Sequence, residues 1–261
     1  MRTVAALLAI FGGASHSSAV QNVLWLPLGD SITFGCTGPD IEDCHNDSGG
    51  YRVPLAFALS QPALGNPSNA GFNVTTMGTA QTGPSYVPAQ WTRHCGFPGW
   101  TIPNIDNFLP QAFASNPIRP DVITIHLGTN DCHDGHSLTR MVADMHSLLN
   151  HTFLIAPSAH VFLADAIPTG QPWNTCITAW SAAVPGIVAQ WAARRMTITF
   201  VPMNAEVRMC GGTGDDADLC GGLQVHPTSA GYPRMASAFA LSIMKHFNRT
   251  RAAPPRPFRG R

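Results

Sequence analysis

The stretch Val23-Leu24-Trp25-Leu26-Pro27-Leu28-Gly29-Asp30-Ser31-Ile32-Thr33 decides the fold of this chain. Its apolar half is short, continuous and closed by Gly-Asp, the pattern of a strand buried on both faces. Ser31 then stands just past the carboxyl end of that strand, where open α/β sheets keep their chemistry. A hydroxyl there becomes a nucleophile only if a base and a set of oxyanion donors meet it. The rest of the chain is therefore read for those partners.

Further strands follow at Phe72–Gly78, Asp121–Gly128, His160–Ala166 and Thr197–Pro202, with Asp121–Gly128 the strongest and apolar throughout, like a central parallel strand. Between them lie helical patterns: Tyr51–Gln61, with Pro54 in its first turn; Ile102–Ser115, interrupted near Pro110; a run from Leu138 behind the N-cap Ser137; Cys176–Arg195; and a last helix capped by Thr228 and ending near Phe247. Five alternations of strand and helix predict an α/β fold, a three-layer α/β/α sandwich around a flavodoxin-like five-stranded parallel sheet. Thr79–Thr101 reads as one long loop, and its Trp91, His94, Phe97 and Trp100 suggest that it has a function.

The bounds are equally informative. Met1–Ala19 has the charged start, apolar run and small-residue end of a secretory signal, with the cut expected after Ala19. Residues 20–248 would form one domain, and the Pro- and Arg-rich 249–261 a disordered tail. Formal net charge is zero and only 11% of residues are charged, which argues against a nucleic-acid partner or a basic membrane-binding face. No segment after the signal reads as a membrane helix. A monomer needing no cofactor is expected. Seven cysteines suggest disulfides, with Cys36–Cys44, Cys132–Cys176 and Cys210–Cys220 as candidate pairs and Cys95 left over. Sequons at Asn46, Asn73, Asn150 and Asn248 fit a secreted eukaryotic glycoprotein.

If the fold is right, Ser31, Gly78 and Asn130 each follow a strand at the same edge of the sheet, and His226 precedes the final helix. That supplies a nucleophile (Ser31), a base (His226) and oxyanion donors in the Ser31 and Gly78 N–H groups and the Asn130 amide. Asp30 and Asp131 read as loop-bracing acceptors, and His126 as a satisfied core histidine. Cys132-His133-Asp134-Gly135-His136 has metal-binding residue types but no supporting helix motif, so no metal is expected. No Gly-x-Ser-x-Gly elbow occurs, which removes the main support for an α/β-hydrolase.

Gly29-Asp30-Ser31, Gly78, Gly128-Thr129-Asn130-Asp131 and His226-Pro227-Thr228 resemble the successive blocks of the SGNH (GDSL-type) hydrolases. Gly49-Gly50-Tyr51-Arg52 and His94-Cys95-Gly96-Phe97-Pro98-Gly99-Trp100-Thr101-Ile102 make the resemblance closest to carbohydrate esterase family three. The resemblance implies a secreted, fungal serine esterase acting on acetylated plant-wall polysaccharide such as acetylated xylan. Arg52 and Trp100 are candidate substrate contacts. One position departs from the pattern: Leu223 stands where the triad carboxylate is usual, three residues before His226. Asp218 or Asp216 could fold back to the ring, a backbone carbonyl could orient it, or catalysis could be impaired. The alternatives are a lipid or small aryl-ester acylhydrolase, a carbohydrate-binding protein descended from an esterase, and, more distantly, a metal-dependent hydrolase.

Overall fold

The structure is a computed structural model. It describes residues 20–37, 44–45, 47–61, 71–114, 118–207 and 225–252, with backbone alone for 248–252.

Strand β1 (Gln21–Gly29) is the axis of the sheet. Its lower half, Gln21–Trp25, pairs in parallel with β2 (Phe72–Thr76), and its upper half, Trp25–Gly29, pairs with β5 (Val122–His126). Strands β6 (His160–Ala164) and β7 (Ile198–Val201) continue outward from β5, also in parallel. These five are the strands read from the sequence, in the flavodoxin-like order β2-β1-β5-β6-β7. Strand order reverses between β1 and β5, so a crevice opens at their carboxyl ends.

Thr79–Thr101 is not one loop. It contributes β3 (Ala80–Gln81) and β4 (Arg93–Gly96), which pair antiparallel with each other. β4 also pairs in parallel with Leu28–Gly29, taking the place beside β1 that β2 has left. Neither strand shows in the sequence: Ala80–Gln81 is two residues long, and Arg93-His94-Cys95-Gly96 has no apolar or β-branched run to mark it.

Alternate side chains of the sheet enter two cores. Leu26, Leu28, Ile123, Ile125, Val161 and Leu163 pack with α3 (Ile102–Ala114), α5 (Leu138–Ile155) and α6 (Asn174–Ala193). Val23, Trp25, Val122, Phe162 and Val201 pack on the opposite face with α2 (Arg52–Ser60) and α8 (Gly231–Ala252). Two covered faces explain why the central strands are apolar throughout. Trp25 is buried among them because its indole N–H finds the Thr124 hydroxyl at 2.9 Å.

Three expectations change here. α3 runs through Pro110 without interruption, since Pro110 lies on the exposed face where water can serve the carbonyl it leaves without a donor. α8 extends to Ala252, into the segment read as a disordered tail. α6 is long and apolar enough, by length and composition, to cross a membrane, but here Ile177, Trp180, Val184 and Ile187 are buried in the core. Cys36–Cys44 and Cys132–Cys176 are bonded, and Cys95 is a buried free thiol. Cys210 and Cys220 lie outside the described residues.

Candidate active site

β1 ends at Gly29 because nothing larger fits: a Cβ there would lie 2.1 Å from the Thr33 hydroxyl and 2.7 Å from the His126 carbonyl. The chain turns at once into the four-residue α1 (Ser31–Phe34), which Asp30 caps by accepting the Ile32 N–H at 2.9 Å. Ser31 is thus the first residue of a helix, where a backbone N–H has no intrahelical acceptor.

His226 lies just before α8, whose start is fixed by Thr228: its hydroxyl and carbonyl accept the Gly231 N–H at 3.3 and 3.0 Å. That brings the His226 Nε2 to 2.7 Å from the Ser31 Oγ, across 195 residues of sequence. Both side chains are buried, at 4% and 5% exposure, so their contact is sheltered from competing water.

Asn130 lies in α4 (Thr129–His133), directly after β5. Its side-chain amide donates to the Trp100 carbonyl at 2.8 Å. Its neighbour Asp131 accepts the Ile102 N–H at 3.1 to 3.2 Å, so two adjacent side chains clamp the entry to α3. An amide nitrogen carries two hydrogens; with one on Trp100, the other has a fixed direction.

Gly78 is not brought to this rim. β2 parts from β1 opposite Trp25, and Gly78 packs instead under β4, where a Cβ would lie 2.2 Å from the His94 backbone and φ is 149°. The place beside Gly29 belongs to Gly96 of β4. Its N–H donates to the His94 Nδ1 at 3.0 Å, and the other ring nitrogen, Nε2, lies 2.8 Å from the Thr82 hydroxyl. Burial, and after it the nearby Arg52 charge, push the His94 pKa down to about 2, so the ring is neutral and can accept that bond. Gly78 does end a strand, but β2 stops short of the rim.

Arg52 is not available to a substrate. Its side chain is fully buried, and its guanidinium donates to the carbonyls of Thr33 (2.8 Å), Phe34 (2.9 Å), Ser48 (3.2 Å) and Thr92 (3.3 Å) and to the Thr82 hydroxyl (2.9 Å). Trp100 is half-buried, its ring 4.2 Å from Phe97 and 5.3 Å from Phe108 between centroids. Trp91 plugs its loop, its indole N–H on the Val74 carbonyl at 3.1 Å.

Asp30 and Asp131 brace loops as expected. Burial, assisted by the Asp131 carboxylate, raises the Asp30 pKa to about 7, and the second Asp30 oxygen has no hydrogen-bond partner. His126 is buried in β5, but neither of its ring nitrogens is hydrogen-bonded; burial lowers its pKa to about 4 and keeps it neutral. Of the sequence's candidate metal cluster, Cys132 is in a disulfide, and His133 pairs with Asp134 at the surface at 2.9 Å. His136 turns instead toward Asp131 and Asp144. Asp216, Asp218 and Leu223 lie outside the described residues.

The GDSL-like Lipase/Acylhydrolase family matches residues 28–234. The chain is 26% identical over 244 residues to a multidomain esterase of Ruminococcus flavefaciens, covering 87% of this chain but 29% of that protein. It is 26% identical over 145 residues to putative endoglucanase X of Acetivibrio thermocellus, covering 57% of it. The chain therefore spans only part of the curated relatives it matches. Among solved structures, a Clostridium thermocellum family 3 carbohydrate esterase superposes with a TM-score of 0.69 at 25% identity, covering 88% of this chain and 99% of that one. A family 3 carbohydrate esterase from Talaromyces cellulolyticus shares the fold, with a TM-score of 0.63 at 22% identity, 87% of this chain and 99% of that one. With the family match running from the end of β1 into α8, this chain belongs to the GDSL-like lipase/acylhydrolase family.

Proposed function

We propose that this chain is a secreted serine esterase that removes O-acetyl groups from plant-wall polysaccharide such as acetylated xylan. The observation that carries the reading is the 2.7 Å contact between the Ser31 hydroxyl and the His226 ring. His226 Nε2 takes the Ser31 proton as Oγ attacks the acetyl carbonyl. The carbonyl oxygen becomes an oxyanion, and the Ser31 N–H and the second Asn130 N–H are the donors that receive it. The intermediate collapses by breaking the bond to the sugar oxygen, which takes its proton from Nε2 and leaves. Water, deprotonated by the same ring, then attacks the acetyl-enzyme and releases acetate. Asp218 is our choice for the carboxylate that orients the ring.

The acetyl-carbohydrate part of the reading draws on the likeness to the Clostridium thermocellum family 3 carbohydrate esterase. Secretion draws on the sequence of Met1–Ala19, and two disulfides suit an oxidising compartment. The test is acetate release from acetylated xylan beside 4-nitrophenyl esters of increasing chain length. Expected are release from xylan, a preference for acetyl, and loss of both turnover and fluorophosphonate labelling in Ser31→Ala. A preference for long acyl chains would replace this reading with a lipid acylhydrolase. Absent turnover and labelling in the native chain would leave a non-catalytic binding protein.

A further inference from the structure

α1 is only four residues long, about 6 Å at 1.5 Å per residue. At its far end the chain opens into a cleft of about 540 Å³. Two of its wall residues, Gly35 and Ser229, lie close along the chain to the reacting pair. Gly35 in its wall donates to the Ser31 carbonyl at 2.9 Å, and Ser229, also in its wall, follows His226 by three residues. Thr37, His45, Asp47 and Ser48 add hydroxyl, imidazole and carboxylate groups. Among the described residues that line it, none is Lys or Arg. Val53, Pro54, Pro84 and Tyr232 add apolar patches between these groups. The surface suits a neutral ligand with both hydroxyls and apolar ring faces, and it carries no Lys or Arg among the described residues to hold a phosphate.

One wall is the turn Pro84–Val87, closed by the Val87 N–H on the Pro84 carbonyl at 3.1 Å. At its tip stands Tyr86, 84% exposed, the most exposed large apolar side chain among the described residues. An aromatic ring held out at a cleft rim offers a flat apolar face and a polar tip at little entropic cost. The walls are also held before any ligand arrives. Arg52 joins three of them through one guanidinium: the end of α1 by the Thr33 and Phe34 carbonyls, the next loop by Ser48, and the β3–β4 hairpin by Thr82 and Thr92.

We infer that this cleft is a subsite for the neutral sugar residues flanking the acetylated one, with Tyr86 as its stacking platform. The inference rests on the esterase reading above for its substrate and adds to it the place where the polymer is gripped. It also gives buried Arg52 a role, as a positioning residue for the subsite walls rather than a substrate contact.

The test compares the native chain, Tyr86→Ala, Tyr86→Trp and the cleft-filling Thr37→Trp. Two measurements are made: kcat/KM on acetylated xylohexaose relative to 4-nitrophenyl acetate, and binding of unacetylated xylohexaose by titration calorimetry. Loss of one aromatic contact is expected to lower the ratio and the affinity roughly three- to tenfold in Tyr86→Ala, with Tyr86→Trp retaining both. Thr37→Trp should lower both as well. If Tyr86→Ala and Thr37→Trp leave ratio and affinity at native values, the subsite is overturned. If the native chain releases no acetate from the oligosaccharide yet binds xylohexaose in a Tyr86-dependent way, the esterase reading fails and the subsite stands. If it binds no xylohexaose, the subsite fails whatever the esterase activity.

Discussion

The Asn130 side-chain amide and the Trp100 carbonyl are joined by a 2.8 Å hydrogen bond that ties α4 to the segment leading into α3. The bond fixes the amide plane before any substrate arrives, which is the condition for an oxyanion donor to act without reorganisation. Asn130→Ala is expected to lower kcat on 4-nitrophenyl acetate by roughly 10²–10³. Fluorophosphonate labelling should still mark Ser31, only more slowly. A kcat within a few-fold of native would remove Asn130 from the oxyanion site.

Gly78 and the oxyanion role are separable by a single substitution. Its φ of 149° and the 2.2 Å approach to the His94 backbone make a side chain costly for folding. Gly78→Ala should therefore lower the melting temperature markedly, while kcat per labelled Ser31 stays within a few-fold of native. A hundredfold fall in kcat per labelled site would return Gly78 to the oxyanion group.

Asp218 is the carboxylate proposed to orient His226. Asp218→Asn is expected to reduce kcat by up to about 10⁴, as loss of the orienting carboxylate does in the best-studied triad. Asp216→Asn should leave kcat within a few-fold of native. The reverse order would assign the role to Asp216, and two native-like variants would leave a Ser–His dyad.

Burial of Asp30 predicts a pH dependence of stability. Its carboxyl titrates near 7 in the folded chain and near 3.9 when unfolded. Between those values the folded state holds the extra proton, so this group's contribution is fully present below about pH 4 and is lost as pH rises toward 7. Asp165, also buried and raised to about 6, acts in the same direction. Asp30→Asn can still cap α1 through its side-chain oxygen, so it should flatten the decline in melting temperature between pH 4 and 7 without abolishing it. An unchanged slope would mean that Asp30 is not protonated in the folded chain.

The Cys132–Cys176 disulfide joins α4, just after Asn130, to the start of α6 across 44 residues of sequence. Loop-closure entropy for such a span predicts a loss of about 3–4 kcal/mol in Cys132→Ala/Cys176→Ala, measured by urea unfolding. A loss under about 1 kcal/mol would show that the unfolded chain gains little freedom there.

The five long strands were legible because apolar or β-branched residues dominate each of them. Ser31, Asn130 and His226 were legible for a related reason: each directly follows a strand or precedes a helix, so placing the element places the residue. β4 was not. Arg93-His94-Cys95-Gly96 is a strand by position, held at the end of β1 by pairing with two residues, and nothing local marks it. Without β4 the strand-end glycine reads as Gly78, whereas the residue beside Gly29 is Gly96. Arg52 at a helix start reads as solvent-facing; most of the carbonyls it meets come from the end of α1 and from the β3–β4 hairpin, which no local pattern discloses.

The turn that carries Tyr86 projects from a hairpin whose base is already secured by Arg52, so its outline can change without disturbing the element that bears Ser31. That makes residues 84–87 a natural place to graft other tips onto this scaffold. Under the proposed reading, polymer preference could be retuned there while the Ser31–His226 pair keeps its place.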